Sequence, residues 1–366
     1  MPRRGENIYK RKDGRWEGRY IKGRNNNGTI IYGYIYRNSY KLVKEEINTM
    51  RYLYQHEYTN LNSNYEGTFE QWSQQWLIKI KGKVKMSTFA SYSSKLALHI
   101  FPLLGHIPLK KLKVDNIEYW IQSLSTSLST SSIRVIFQVL KNCLKEAVLK
   151  GLIMFNPCDQ VIPPKDTSKN IASLTIDEEN ILRKYSSLHP KGLPILISLQ
   201  MGLRIGEICG LKWEDIDFKS NLLHVSRTIQ RLPNLEHDGI KKTIITETTP
   251  KSEYSLRTIP IPNSIRSDLL NLKIVSKSLY VFGNEKPMEP RLITYWFKKI
   301  INELELPNYR FHSLRHTFAT RCLEKGVSIA TISSLLGHHS IKMTLDTYIG
   351  VFLSEKKDAI NLISYK

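Results

Sequence analysis

The chain has 366 residues, with 54 Lys and Arg against 33 Asp and Glu and a formal net charge of +21. That length exceeds one ordinary domain, and that charge draws in polyanions while opposing self-association without one. Four cysteines with no CxxC pair, a basic start with no apolar run after it, and no stretch near the roughly 20 apolar residues of a membrane helix exclude a disulfide-stapled secreted scaffold and a membrane-spanning protein.

The expectation is a soluble, cytoplasmic protein with reduced thiols and nucleic acid as first candidate partner. A merely basic soluble protein is the alternative, disfavoured because the positive excess runs through the whole chain. In chain order, Asn7 to Lys12 and Arg15 to Lys22 alternate in the strand period around Asp13-Gly14, a hairpin signal, and Thr29 to Tyr36 supplies a third strand. Tyr40 to Tyr54 has helical spacing, so residues 1–60 are expected to form a three-stranded sheet backed by one helix. Alternation would leave several of Lys10, Lys12, Arg15, Arg19 and Lys22 projecting from the outer face between aromatics, where they either line a DNA groove or form a solvated polar surface.

Gln55 to Gly67 is polar and reads as a linker. Thr68 with Gln71 forms a capping box, and helical patterns follow over Trp72 to Ile80, Ser87 to Phe101, Val114 to Leu124 and Ser129 to Lys150, giving an all-helical domain over 66–160. Pro157 and Ile162 to Asp166 break helicity, and Thr175 to Glu178 caps the start of a third domain, 172–366. Its middle alternates with β-branched residues in Leu223 to Ile229, Ile240 to Thr246 and Arg257 to Ile261, so it is expected to be mostly α with a small antiparallel sheet. The expected fold class is multidomain α+β.

The chemistry gathers in this third block. Ile195 to Leu211 reads as one apolar helix with Arg204 and Glu207 on the same face, either an ordinary ion pair or a guanidinium oriented for an anion. His312 and Arg315 are likewise three apart. The His312/His316 spacing is that of a zinc helix, but the glutamate of HExxH is missing and Arg315 between them would repel a metal, so no metal site is expected. Gly337 ends a helix and leaves His338 at a turn, ten positions before Tyr348. A phenol to attack, guanidinium groups to clamp phosphate and imidazoles to move protons or donate hydrogen bonds point to DNA strand transfer.

These motifs, GLRxGE around Arg204, HxLRHTFAT around Arg315, LGHxS around His338 and TLDTY ending in Tyr348, resemble those of the tyrosine recombinases of the lambda-integrase type. The three-block layout is most similar to integrases of conjugative transposons and related phages. The resemblance implies that Tyr348 is the nucleophile, that Arg204 and Arg315 grip the scissile phosphate, that His338 hydrogen-bonds it, and that His312 assists proton removal, with Glu207 behind Arg204. Thr249 to Pro260 resembles the β-hairpin whose lysine protonates the leaving 5′-oxygen, placing that role on Lys251 ahead of Lys241 and Lys242. Two features depart from the pattern: Ser313 replaces a frequent acidic residue, and His339 duplicates the imidazole of His338. Tyr365 lacks the TLDTY context.

The family implies integration and excision of a mobile element through a 3′-phosphotyrosyl intermediate and a Holliday junction. It also implies arm binding by residues 1–60, core binding by 66–160, a tetramer on double-stranded DNA, an excisionase, a host DNA-bending protein and a nucleoid-associated location. No cofactor is expected: no GxxxxGK(S/T) pattern is present, and two arginines and a lysine supply the charge that a divalent ion otherwise brings. Val351, Phe352, Leu353, Ile360, Leu362 and Ile363 form an apolar set that docks on a neighbouring protomer or packs in cis. A type IB topoisomerase and a non-enzymatic DNA-binding regulator are the competing readings.

Overall fold

The computed structural model describes residues 7–24, 29–60, 65–165, 173–234, 243–248 and 255–348. It divides into two compact units, Met1–Ser168 and Lys169–Lys366.

In the first unit, strands β1 (Ile8–Lys10), β2 (Trp16–Arg24) and β3 (Ile30–Arg37) form an antiparallel sheet in the order β1-β2-β3, followed by α1 (Tyr40–Asn60). The helix continues through Gln55 to Asn60, where the polar composition suggested a linker: these residues lack Gly and Pro, and nothing in them stops a helix. Gly18 shows why the sheet lies so close to α1, since a Cβ there would sit 2.0 Å from the Ile47 side chain. Ile8, Tyr20, Ile35, Val43 and Ile47 make the small core beneath.

The opposite sheet face carries more aromatic surface than expected. Register pairs Glu17 with Tyr36 and Arg19 with Tyr34 on this side, and Tyr9, Tyr34 and Tyr36 are exposed. The Arg19 guanidinium lies 4.4 Å from the Tyr32 ring centroid, and those of Arg11 and Arg15 lie 5.3 and 5.9 Å from that of Tyr36. Lys10, Lys12, Arg15 and Lys22 are exposed, but Lys10 pairs with Trp16 and so shares the helix-side face with the buried Ile8, whereas the half-buried Arg19 lies on the outer face.

A second core in this unit belongs to helices α2 (Phe69–Ile80), α3 (Met86–Lys95), α4 (Val114–Ser125) and α5 (Thr130–Leu149). The Thr68–Gln71 capping box is present, with Thr68 N–H donating to Gln71 Oε1 at 2.9 Å. Beyond Lys95 the chain continues as wider π-type turns over Leu96–Gly105, which contain Pro102, a residue with no N–H for the α-helical ladder. The indole N–H groups of the buried Trp72 and Trp120 donate to the carbonyls of Cys143 and His99, as burial of a polar donor requires.

The second unit opens with α6 (Ile176–Leu188), held by the expected Thr175–Glu178 capping box. Ile195 to Leu211 is not one helix. It is α7 (Leu193–Met201) and α8 (Ile205–Gly210), separated by Gly202 in the left-handed conformation at φ 68°. Five strands follow: β4 (Ile216–Asp217), β5 (Leu222–Val225), β6 (Thr228–Pro233), β7 (Thr243–Thr248) and β8 (Arg257–Pro260). The single strand expected from Leu223 to Ile229 is thus split at Ser226-Arg227, and its halves join different sheets, β4-β5-β8 and β6-β7. Helices α9 (Asn263–Val275), α10 (Pro290–Glu303), α11 (His312–Glu324), α12 (Ile329–Leu336) and α13 (Ile341–Tyr348) follow among the described residues. Ile240 of the expected third strand lies outside the described residues, as do Lys241, Lys242, Lys251, Tyr365 and the apolar set from Val351 to Ile363. The four cysteines are free thiols, and no helix among the described residues is long and apolar enough to cross a membrane.

Candidate active site

The break between α7 and α8 sets up the site. Gly202 turns the chain so that Arg204 becomes the residue that caps α8, and Glu207 sits on the first turn of that helix. The pair is therefore a cap and its third helical residue, not two positions on one helix face. Glu207 Oε2 accepts from the backbone N–H of Arg204 at 2.9 Å while Oε1 accepts from its Nη1 at 2.8 Å. This arrangement satisfies an otherwise orphaned N–H and aims the guanidinium with one carboxylate.

Glycines permit the approach of neighbouring elements. A Cβ at Gly206 would lie 2.4 Å from Thr228 Oγ1 and 2.7 Å from the carbonyl oxygen of Ile229, so only glycine lets α8 lie against β6. A Cβ at Gly202 would meet the Phe318 ring of α11 at 2.6 Å and the Leu336 side chain at 3.0 Å.

Arg315 enters from α11 with 2% of its surface exposed. Its Nη1 donates to the Gly202 carbonyl at 2.8 Å and its Nη2 to the Leu336 carbonyl at 2.5 Å. His312, one turn earlier, is exposed, and its ring meets that of His316 edge to face with centroids 4.8 Å apart. Arg204, His312 and Arg315 line one cavity of about 290 Å³, together with Thr228 and Gln230 of β6. Arg204 is thus brought to one concave surface with two residues of α11 that lie more than 100 positions later in the chain.

His338 follows the left-handed Gly337, φ 63°, that ends α12. It is half-buried, with its Nδ1 2.8 Å from Oγ1 of the buried Thr344, whereas the adjacent His339 is exposed. Thr344 lies one turn before Tyr348, which closes α13; for Tyr348 the structure describes the backbone.

The electrostatics are those of a cationic, partly dehydrated site. Partial loss of hydration, then the charges of Arg315 and Arg204, pushes the half-buried His338 down to about 4 and lowers the more open His312, at the cavity wall, from its ordinary value. Both imidazoles are therefore neutral near pH 7 and can accept a proton or share a hydrogen bond. Burial on its own would raise Glu207, but the hydrogen bonds and charge of Arg257, followed by the charges of Arg204 and Arg315, hold its carboxyl at about 2.

Two participants escaped the sequence reading. Arg257 on β8 donates to both Glu207 oxygens, at 3.2 and 2.8 Å, with 5% of its side chain exposed. The signal was its register: Arg257 is two residues before the buried Ile259 and so shares its inward face. Thr344 is the other, visible only as a small polar residue in TLDTY.

Residues 173–354 match the model of the phage integrase family, and residues 68–125 match the N-terminal SAM-like domain of phage integrases. The XerC-like tyrosine recombinase of Caldanaerobacter subterraneus is 29% identical over 93% of this chain and 94% of its own length. The ICEBs1 integrase of Bacillus subtilis is 26% identical over 64% of this chain and 66% of its own. Among solved structures, the Tn1549 transposon integrase in complex with transposon right end DNA covers 80% of this chain and 99% of its own at TM-score 0.68 and 23% identity. The lambda integrase tetramer bound to a Holliday junction covers 91% of this chain and 96% of its own at TM-score 0.59 and 20% identity. The chain belongs to the phage integrase family of tyrosine recombinases, enzymes that cleave and rejoin DNA at specific sites.

Proposed function

We propose that this recombinase integrates and excises a mobile genetic element, with Tyr348 as nucleophile, Arg204 and Arg315 as ligands of the scissile phosphate, His338 as a hydrogen-bond donor to it, His312 as acceptor of the phenolic proton and Lys251 as donor of a proton to the leaving 5′-oxygen. The tyrosine oxygen bonds to phosphorus as the bond to the 5′-oxygen breaks, so the phosphodiester energy stays in a 3′-phosphotyrosyl ester and rejoining needs no nucleotide. The observation that carries this reading is the convergence of Arg204, Arg315 and His312 on one cavity, with His338 tied to the helix that ends in Tyr348.

In this reading residues 1–60 bind arm sites through the Arg- and Tyr-bearing sheet face, residues 66–160 bind the core site, and residues 172–366 carry the chemistry. Two contact points on one DNA raise the effective concentration of the weaker. Relatives solved with circular intermediate DNA and as a tetramer on a Holliday junction support a mobile-element substrate and a DNA-bound tetramer here. An excisionase, a host DNA-bending protein and work at the nucleoid in the cytoplasm complete the proposal.

The test is incubation with a nicked core duplex, followed by denaturing electrophoresis. The wild type is expected to give a covalent band and Y348F none, with DNA binding retained. An undiminished band from Y348F would refute the assignment of the nucleophile. Strand exchange between two attachment-site duplexes separates a recombinase from a relaxing topoisomerase.

A further inference from the structure

Three consecutive carbonyls at the end of α12 each receive one arginine. Arg257 Nε donates to Leu335 at 2.7 Å, Arg315 Nη2 to Leu336 at 2.5 Å, and Arg204 Nη2 reaches Gly337 at 3.5 Å. The last carbonyls of a helix have no intrahelical partners and carry its partial negative charge, so this end is a natural template for cations. Glu207 is the carboxylate set among them, with 4% of its side chain exposed.

The guanidiniums of Arg257 and Arg204 are used differently. Arg257 is committed to protein: Nε on Leu335, Nη1 and Nη2 on the two Glu207 oxygens, and Nη1 also on the Ser255 carbonyl at 3.3 Å. Arg204 has 35% of its side chain exposed, lines the cavity and holds Gly337 only at the limit of hydrogen bonding. A carboxylate paired with Arg204 alone would compete with any anion that Arg204 is to bind. With Arg257 as its broadside partner, the negative charge of Glu207 is already matched.

We propose that Arg257 is a positioning residue for DNA cleavage: it cancels the charge of Glu207 and fixes that carboxylate, so that Arg204 keeps its outer edge and its charge for the scissile phosphate. This rests on the reading of Arg204 as a phosphate ligand. Arg257 touches no DNA in this role and acts through Glu207 and Arg204.

The experiment compares full-length wild type, R257M, E207Q and the double variant E207Q/R257M on the nicked core duplex, measuring covalent adduct formation at saturating DNA and, separately, affinity for that DNA. R257M is expected to slow adduct formation about 10- to 100-fold, less than the ~10²–10³ of deleting a donor that touches the reacting oxygen. Its affinity should hold within about threefold, because many other phosphate contacts set the binding. Removing the unmatched charge should then rescue the reaction, so that E207Q/R257M forms adduct faster than R257M. R257K, which keeps the cation without the fork, should fall between wild type and R257M. If Met prevents folding, R257Q with and without E207Q makes the same comparison, since that neutral pair can keep a hydrogen bond. A double variant no faster than its Arg257 single variant, or an Arg257 variant with wild-type rate, would overturn the proposal. A wild type that forms no adduct at all would instead count against the functional reading beneath it.

Discussion

The Nη2 of Arg315 donates to the carbonyl oxygen of Leu336 at 2.5 Å, joining the helix that bears His312 to the helix end that precedes His338. The same guanidinium reaches the Gly202 carbonyl through Nη1, so one side chain fastens three motif segments that lie far apart in the chain.

Replacing Arg315 by Lys therefore removes more than a charge shape. An ammonium is a single point donor and cannot keep the fork that spans both carbonyls while also facing the cavity. R315K is expected to lower adduct formation by about 10²-fold or more. It should also destabilise the second unit by about 1–3 kcal/mol through the buried carbonyl left unpaired. Adduct assays and urea unfolding read the two effects; a variant with near-wild-type values in both would contradict the fastening role.

Glu207 is the opposite case, a buried anion beside three cations. E207A leaves Arg257 buried with 5% side-chain exposure and no carboxylate. Breaking a buried pair from one side costs about 3–5 kcal/mol. Chemical denaturation of E207A should show an unfolding free energy lower by that amount, and a loss below about 1 kcal/mol would mean that water replaces the carboxylate at little cost.

Much of this was legible in the sequence because local physics and tertiary context agree there. The capping boxes at Thr68 and Thr175, the glycine that ends α12 and the alternation of β2 and β3 all formed as expected. Arg204, His312 and Arg315 line one cavity, whereas His338 is not among its lining residues and bonds to Thr344. The errors arise where a pattern of the right period spans a break. Apolar residues recur at helical spacing from Ile195 to Leu211, and the left-handed Gly202 divides them. Likewise Leu223 to Ile229 alternates throughout, yet Arg227 turns aside to pair with Glu214 and Asp215, and the strand changes sheet. The role of Arg257 was hidden because its partner, Glu207, lies 50 residues away and only the fold brings them together.

The histidines give the second unit an acid-sensitive stability. Burial, then the charge of His312, pushes His316 down to about 4, and His338 stands at about 4 as well, both below the ordinary 6.5. Above pH 6.5 both rings are neutral folded and unfolded, so their contribution is fully present. Between 6.5 and 4 the unfolded chain takes up protons that the folded one resists, and stability falls; below about 4 the loss levels off. For the buried His316 the fall from 6.5 to about 4 corresponds to a loss of about 3 kcal/mol, with a smaller share from the half-exposed His338, or roughly 6–12 °C in melting temperature. H316Q should flatten the melting curve against pH in this window, and an unchanged slope would show that other groups dominate.

The contact between His338 and Thr344 makes the last prediction. Thr344 is 1% exposed and lies one turn before Tyr348, so its hydroxyl is the polar link between the His338 imidazole and the helix of the proposed nucleophile. Valine has nearly the shape of threonine without the hydroxyl, so T344V deletes the hydrogen bond while leaving the packing, whereas T344S keeps the bond and loses a methyl group. A hydrogen bond worth about 1–2 kcal/mol that holds reacting groups in register corresponds to about 5- to 30-fold in rate. T344V should form covalent adduct slower by that factor at saturating DNA, with affinity within about threefold, because Thr344 has no proposed DNA contact and many other phosphate contacts set the binding. T344S should stay within about threefold of the wild type, since losing one buried methyl costs stability more than register. If the serine variant proves as slow as the valine variant, the hydroxyl is not the link and close packing of α13 holds the tyrosine in place.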